Sequence, residues 1–132
     1  MELEIATIET DLFEHREVKP HFINDCCFGE DFAQWLRQRL ATIAGLEFSN
    51  PIQEDYGWGL WVMQGKDKFW IALSYVGDGP TEAPAQWVIS LARPTSLNIV
   101  KKLFGKQGVT TMEALQRRIR LELQSTAGIS IL

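Results

Sequence analysis

The chain has 132 residues, of which 45% are hydrophobic and 23% charged, and its net charge is −4. This suits a single domain (residues 1–132), because a chain of this length buries about two thirds of its unfolded surface and needs no disulfide or metal. The acidic balance argues against nucleic-acid binding and permits a basic partner. No apolar run reaches the roughly 18 residues of a membrane span, and the acidic N-terminus lacks a signal-peptide core, so we expect a cytoplasmic protein without a membrane partner.

The first predicted elements are a strand and a helix. Residues 2–9 alternate as in a half-buried strand, with Leu3 and Ile5 on one side and Ala6 on the other. Apolar residues then recur at three- and four-residue steps over 29–44, acids begin this segment and arginines follow. The pattern predicts an amphipathic helix capped at its C-terminus by Gly45.

The middle of the chain is rich in predicted strands. Residues 60–64 and 69–76 flank a short glycine-containing turn and predict a hairpin, and residues 86–92 predict a further strand. Side chains alternate along a strand, so each strand has one strongly apolar face, which we expect to pack under the helices. The residues of this expected core face are Trp58, Leu60, Val62, Phe69, Ile71, Leu73, Tyr75, Trp87, Ile89 and Leu91.

The C-terminal third changes to helical patterns. Residues 97–104 predict a short helix that 105–108 interrupt, and a capping box formed by Thr110 and Glu113 predicts a longer helix from about 111. The last four residues pair as a final strand or fray. Strands joined by short turns imply antiparallel pairing, so the predicted class is α+β: a two-layer sandwich with a mostly antiparallel sheet, one helix in the N-terminal half and two C-terminal helices.

The segment IQEDYGWGLW, residues 52–61, combines acids, aromatics and glycines. Alternation places Trp58 on the core face, whereas Trp61 and Trp70 fall on the opposite face among small residues. Two interpretations follow: loops cover these tryptophans, or they form an exposed aromatic patch of the kind that marks ligand or partner sites.

Glu54 and Asp55 form an acidic pair, but adjacent residues of a strand point to opposite sides, which weakens the interpretation as a catalytic pair. Glu54 beside Tyr56 is a candidate general acid or base, or else a solvated residue at a strand edge. A catalytic role requires a second polar group within hydrogen-bond reach, for which the sequence offers His15, His21 and Asp78.

Cys26 and Cys27 are the only cysteines and are adjacent, a geometry that rarely allows pairing, so we expect reduced thiols in a reducing compartment. They suit small buried positions, or a nucleophile activated by the helix that follows. Together with His15 and His21 they match no recognised metal-ligand spacing, and no phosphate-loop or dinucleotide motif occurs. We therefore expect no metal and no cofactor.

Two phrases, FINDCCFGEDFAQWL and PIQEDYGWGLWV, resemble small uncharacterised bacterial α+β domains in which a helix opening with an acidic pair precedes an EDxGWG-like segment. The resemblance spans roughly residues 20–92 and implies no particular activity, catalytic residue or cofactor. In size, acidity and fold class the chain is also similar to the α+β immunity proteins found beside bacterial toxins.

The leading hypothesis is a binding or interaction domain, of immunity or regulatory type, rather than an enzyme. Aromatic side chains would supply buried contact area, and carboxylates would orient a basic protein or a small molecule. The alternative is a small hydrolase that uses Glu54 as acid or base. The oligomeric state is open. The candidate binding residues are Glu54, Asp55, Tyr56, Trp58, Trp61 and Trp70.

Overall fold

The computed structural model describes residues 2–25, 27–77, 79–93 and 106–132, with side chains in the last range from residue 112 onward. Its helices and strands follow the order β1, α1, β2 to β6, α2, β7. The strands are β1 Glu2–Thr10, β2 Glu47–Phe48, β3 Ile52–Glu54, β4 Gly57–Gln64, β5 Asp67–Val76, β6 Ala85–Ala92 and β7 Ile129–Ile131, and the helices are α1 Glu30–Leu40 and α2 Lys106–Gln124.

The described strands form one seven-stranded sheet in the order β2-β4-β5-β6-β1-β7, with β3 paired to β4. Each pairing is antiparallel, and the predicted hairpin is confirmed as β4 and β5, in which Gln64 lies opposite Asp67. The C-terminal residues also pair, as β7 against β1. A mostly antiparallel sheet with two helices confirms the α+β class.

One face of the sheet, called the inner face, belongs to the main hydrophobic core. The alternating residues of β4, β5 and β6 expected there are buried, and several of them, such as Leu73 and Trp87, are completely inaccessible. Apart from Trp58, they join one apolar cluster with the buried stripes of α1 and α2. The helix residues of this cluster are Phe32, Ala33, Leu36, Leu40, Met112, Leu115, Ile119 and Leu123.

Strand β1 departs from the expected alternation. The pairing of β1 with β6 shifts between Glu4 and Ala6, so that Ile5 is an extra residue in a β-bulge. Ile5 and Ala6 are consequently both buried, whereas the sequence pattern placed them on opposite sides. The Arg120 guanidinium of α2 donates a 2.8 Å hydrogen bond to the carbonyl oxygen of Ile5. This bond satisfies a polar group that the bulge takes out of the regular ladder.

The helix boundaries also differ from the prediction. Helix α1 ends at Leu40, and Ala41 donates its amide to the Arg37 carbonyl, so Gly45 (φ +84°) lies in the following turn. Helix α2 begins at Lys106, before the predicted capping box. The predicted short helix over 97–104 lies outside the described residues. Within the described chain, neither helix has the length and apolar character needed to cross a membrane.

Candidate functional site on the outer face of the sheet

The opposite side of the sheet, called the outer face, is the candidate site. Residues directly opposite one another in antiparallel strands project to the same side, so the register assigns this face residue by residue. Its aromatic end is followed by small and hydroxylated residues and then by acidic β1. Apart from glycines, it comprises Glu47, Ile52, Glu54, Trp61, Met63, Lys68, Trp70, Ala72, Ser74, Val76, Gln86, Val88, Ser90, Ala92, Glu2, Glu4, Thr7, Glu9 and Ser130.

Three aromatic side chains, Tyr56, Trp61 and Trp70, form what we call the aromatic cluster. Trp61 and Trp70 are cross-strand partners, with ring centroids 4.9 Å apart and ring planes inclined by 58°. The Trp70 indole N–H donates a 2.7 Å hydrogen bond to the Tyr56 hydroxyl. Both tryptophans are half-buried and Tyr56 is exposed. The cluster is thus held together by its own contacts while it remains open to solvent.

Gly59 explains how Trp70 reaches Tyr56. A Cβ atom at Gly59 would collide with the Trp70 indole and would lie 2.7 Å from the Ile71 carbonyl oxygen. The indole therefore lies directly across the backbone of β4, an approach that only glycine permits. The second glycine of the Gly-Trp-Gly segment is therefore required for the packing of Trp70, a role unrelated to phosphate binding.

Lys68 adds a positive charge to the cluster. Its ammonium nitrogen lies 4.5 Å from the centroid of the Trp61 ring, within the range of a cation–π interaction. Met63, the cross-strand partner of Lys68, borders the same ring on β4. Sequence reasoning missed Lys68, although its position two residues before Trp70 on the same strand face was a usable signal.

The charged side chains of the outer face are mostly acidic. Among the described residues it carries Lys68 as its one basic side chain, against five glutamates: Glu2, Glu4, Glu9, Glu47 and Glu54. Glu9 accepts a hydrogen bond from Gln86, and no ion pair engages the other four within the described chain. These carboxylates come from three separate strands, β1, β2 and β3, so sequence reasoning identified Glu54 alone.

The acidic field is felt at the aromatic cluster. Partial burial raises the pKa of the Tyr56 hydroxyl above its usual range, the hydrogen bond from Trp70 opposes the shift, and the charges of Glu54 and Glu2 raise the pKa further. Glu2 acts on Tyr56 from across β5 and β6. It lies in the same cross-strand row as Trp70, with Ala92 of β6 between them. Aromatic rings and carboxylates therefore share one electrostatic environment.

Two of the predicted binding residues lie elsewhere. Trp58 is only 4% exposed, faces the inner side and donates its indole N–H to the Cys27 carbonyl oxygen at 3.0 Å. It is a buried anchor for the segment before α1 and is not available to a ligand, so its inclusion as a binding residue is corrected. Asp55 lies in the exposed β3–β4 turn, where its carboxylate accepts a 3.4 Å hydrogen bond from the Asn24 side chain.

Glu54 is half-buried on the outer face, and neither histidine is its partner. The His21 ring bonds to the Glu30 carboxylate at 2.7 Å, and the His15 ring bonds to Asp11 and to the Thr81 carbonyl. Asp78 lies outside the described residues. Neither histidine therefore supplies the second polar group that the hydrolase hypothesis requires near Glu54.

His15 is instead a structural element beneath a loop. Its fully buried ring lies 2.6 Å from an Asp11 carboxylate oxygen and 2.7 Å from the Thr81 carbonyl oxygen. Arg16 contacts both Asp11 and Glu82, and these bonds to His15 and Arg16 hold the Asp11 pKa below its usual value. The loop that contains Thr81 lines a cleft of about 600 Å³ beside Tyr75, and Glu54 does not line this cleft.

Cys27 is disulfide-bonded, and its sulfur lies 3.2 Å from the Asp55 carbonyl oxygen. The expectation that it remains a reduced thiol is therefore wrong, and a nucleophilic thiolate is not available at this position. Cys26 lies outside the described residues. Within the described chain, no group of three or more His, Cys, Asp and Glu side chains is arranged to hold a metal ion.

Comparison of the chain with known protein families, with curated proteins and with solved structures gives no match. The geometry of the outer face therefore carries the functional argument by itself.

Proposed function

We propose that the protein is an interaction domain that binds a basic protein partner on the outer face of its sheet. The supporting observation is the coincidence of a half-exposed aromatic cluster with five glutamates on one side of one sheet. Tryptophan and tyrosine contribute most of the contact energy in protein interfaces, and acidic surfaces accelerate encounter with cationic partners. The buried residues of both described helices belong to the core on the inner face, and among the described residues no helix packs on the outer face.

The charge pattern favours a foreign partner over a second copy of the chain. Two copies meeting through their outer faces would oppose glutamates to glutamates, with little lysine to compensate, and like charges brought together at an interface cost several kcal/mol. Three arginines of the helical side are engaged within the fold: Arg118 and Arg39 contact Glu122, and Arg120 contacts Ile5. The glutamates of the outer face, in contrast, form no ion pair within the described chain.

Immunity-type inhibition of a toxin is one version of this proposal. An inhibitor of this kind covers a basic active surface with acidic and aromatic side chains, and the outer face has both. A cytoplasmic location, and membership of the bacterial domains with an EDxGWG-like segment, belong to the same proposal. The hydrolase alternative has no observation in its favour, because His15 and His21 bond away from Glu54.

Site-specific photo-crosslinking in the native host tests the proposal. A benzoylphenylalanine at Ser90 reports on the centre of the outer face, and the same group at Leu121, an exposed residue of α2, is the matched control. We expect one basic protein to be crosslinked from Ser90 and not from Leu121. Crosslinking only from Leu121, or only to a second copy of the chain, would contradict the proposed interface.

Trp61→Ala gives a second, quantitative test. Trp61 is half-buried on the outer face, so its loss should weaken capture of the crosslinked partner about tenfold or more, as for an aromatic hot spot. The thermal midpoint should change little, because no inner-face packing is removed. A large fall in the midpoint would instead make Trp61 a core residue and remove it from the interface.

A further inference from the structure

The aromatic cluster already contains a cation, and this observation indicates what the partner presents to it. The Lys68 ammonium lies over the Trp61 ring at 4.5 Å, yet Lys68 itself is an exposed residue with a flexible side chain. The face of the Trp61 ring is therefore arranged to accept a cation. In the described part of the chain, the cation–π interaction is the one contact that holds the Lys68 ammonium there. A lysine that occupies a ring face in this way is replaceable by a cation supplied from outside.

The surroundings of Trp61 strengthen such a site. Trp70 is fixed by its hydrogen bond to Tyr56 and by its close approach to Gly59, so it presents a preorganised surface beside Trp61. The charges of Glu54 and Glu2 act on the neighbouring Tyr56 hydroxyl, so the local field favours a positive ligand. Preorganised aromatic surfaces bind with a smaller loss of side-chain entropy than mobile ones.

We infer that the aromatic cluster is a subsite for an arginine side chain of the basic partner, which takes the place of Lys68 over Trp61. This inference rests on the proposed function and names the chemistry recognised there. A guanidinium is planar and more weakly hydrated than an ammonium, so it stacks on an indole face more favourably than lysine. Its edge remains free to donate two hydrogen bonds to a carboxylate, and Glu47 lies in the same cross-strand row as Lys68, beside Met63.

The chain contains an internal control for this site. On α1, the Arg39 guanidinium lies 5.1 Å from the centroid of the Trp35 ring, a second cation–π pair of comparable geometry. Trp35 packs against the main core, and Arg39 also contacts Glu122, so this pair is tied into the fold. A ligand that merely binds any tryptophan carrying a cation would affect both pairs, whereas an arginine subsite at the aromatic cluster affects Trp61 alone.

The test uses the full chain and two probes, the peptide acetyl-Arg-Gly-Arg-Gly-Arg-amide and its counterpart in which citrulline replaces each arginine. Citrulline preserves the shape of arginine and removes its charge. The indole N–H resonances of Trp61, Trp70 and Trp35 are followed by NMR during titration. We expect Trp61 and Trp70 to shift, Trp35 to remain unchanged, and the arginine peptide to bind at least about fivefold more tightly than the citrulline peptide.

Two variants sharpen the result. Lys68→Thr keeps a strand-forming residue but is too short to cover the ring face, and it should tighten arginine-peptide binding about threefold, whereas Trp61→Leu should weaken it about fivefold. Equal binding of the two peptides, a Trp35 response equal to that of Trp61, or no tightening by Lys68→Thr would overturn the subsite. Those outcomes leave the photo-crosslinking test of the whole outer face untouched, so the two proposals fail separately.

A third probe separates a protein side chain from a free small cation. Tetramethylammonium carries the charge without the planar guanidinium. We expect it to shift the Trp61 resonance at least about fivefold more weakly than the arginine peptide at equal charge concentration. If tetramethylammonium binds as tightly as the peptide, the cluster recognises free quaternary ammonium ions, and its assignment to an arginine of the partner is overturned.

Discussion

The two faces of the sheet are built from neighbouring residues of the same strands, but they differ in how deeply their side chains are buried. On β6, Ile89 is completely buried in the main core, whereas Val88 beside it is only half-buried on the outer face. On β4, Trp58 donates a hydrogen bond to a backbone carbonyl on the inner side, and Trp61 is only half-buried on the outer side. A side chain on the inner face stabilises the fold through burial, and these outer-face side chains keep part of their surface accessible to solvent.

The largest effect expected from this comparison comes from adjacent truncations on β6. Ile89→Ala should lower the free energy of unfolding by about 3 kcal/mol, because it removes buried methyl groups and leaves a cavity. Val88→Ala should lower it by less than about 1 kcal/mol. Urea denaturation of both variants measures the difference. Equal losses would show that the outer face is packed as tightly as the inner one.

Gly59→Ala should have an intermediate effect. The added methyl group collides with the Trp70 indole and the Ile71 carbonyl, so we expect a loss of about 2 kcal/mol in the free energy of unfolding and displacement of the Trp70 indole resonance.

Gly65→Ala is the control for Gly59→Ala, because it lies in a turn at φ +58° with open space around it, and it should cost only the strain of that conformation, about 1 kcal/mol. In a Trp70→Ala background, the penalty of Gly59→Ala should shrink. An unchanged penalty would show that the added methyl group collides only with the backbone and not with the Trp70 indole.

The smallest effect concerns the ionisation of Asp11, whose carboxylate bonds to the His15 ring. The pKa of Asp11 is lowered in the folded protein by His15 and Arg16, so the folded state binds this proton less readily than the unfolded state. Its stabilisation is complete above the unfolded pKa of about 3.9 and is lost as the pH falls through the lower folded value. Asp11→Asn should therefore reduce the urea midpoint at pH 7 and match the native chain near pH 2.

Glu4→Gln provides the matched control for Asp11→Asn. Glu4 is an exposed outer-face carboxylate without an ion pair in the described chain, and its replacement should leave the urea midpoint at pH 7 almost unchanged. A larger loss from Glu4→Gln than from Asp11→Asn would mean that the outer face contributes to folding electrostatically, contrary to its assignment as a partner surface.

Local pattern predicted much of this site. Alternation along single strands correctly separated Trp58 from Trp61 and placed Trp70 away from the core face. It failed at β1, where a bulge adds Ile5 and reverses the faces that follow. Nothing in a single strand reveals such an insertion, because it is defined by the register against β6.

What the sequence by itself determined is the α+β class, the central hairpin, helix α1 and the division of each regular strand into two faces. These follow from short-range periodicity, which residues a few positions apart establish. Only the tertiary structure decided that glutamates from three strands share one face with the aromatic cluster, that Lys68 lies over Trp61, and that His15 bonds to Asp11 and Thr81 instead of Glu54. Those outcomes depend on strand order and register, which are set by packing between distant segments of the chain.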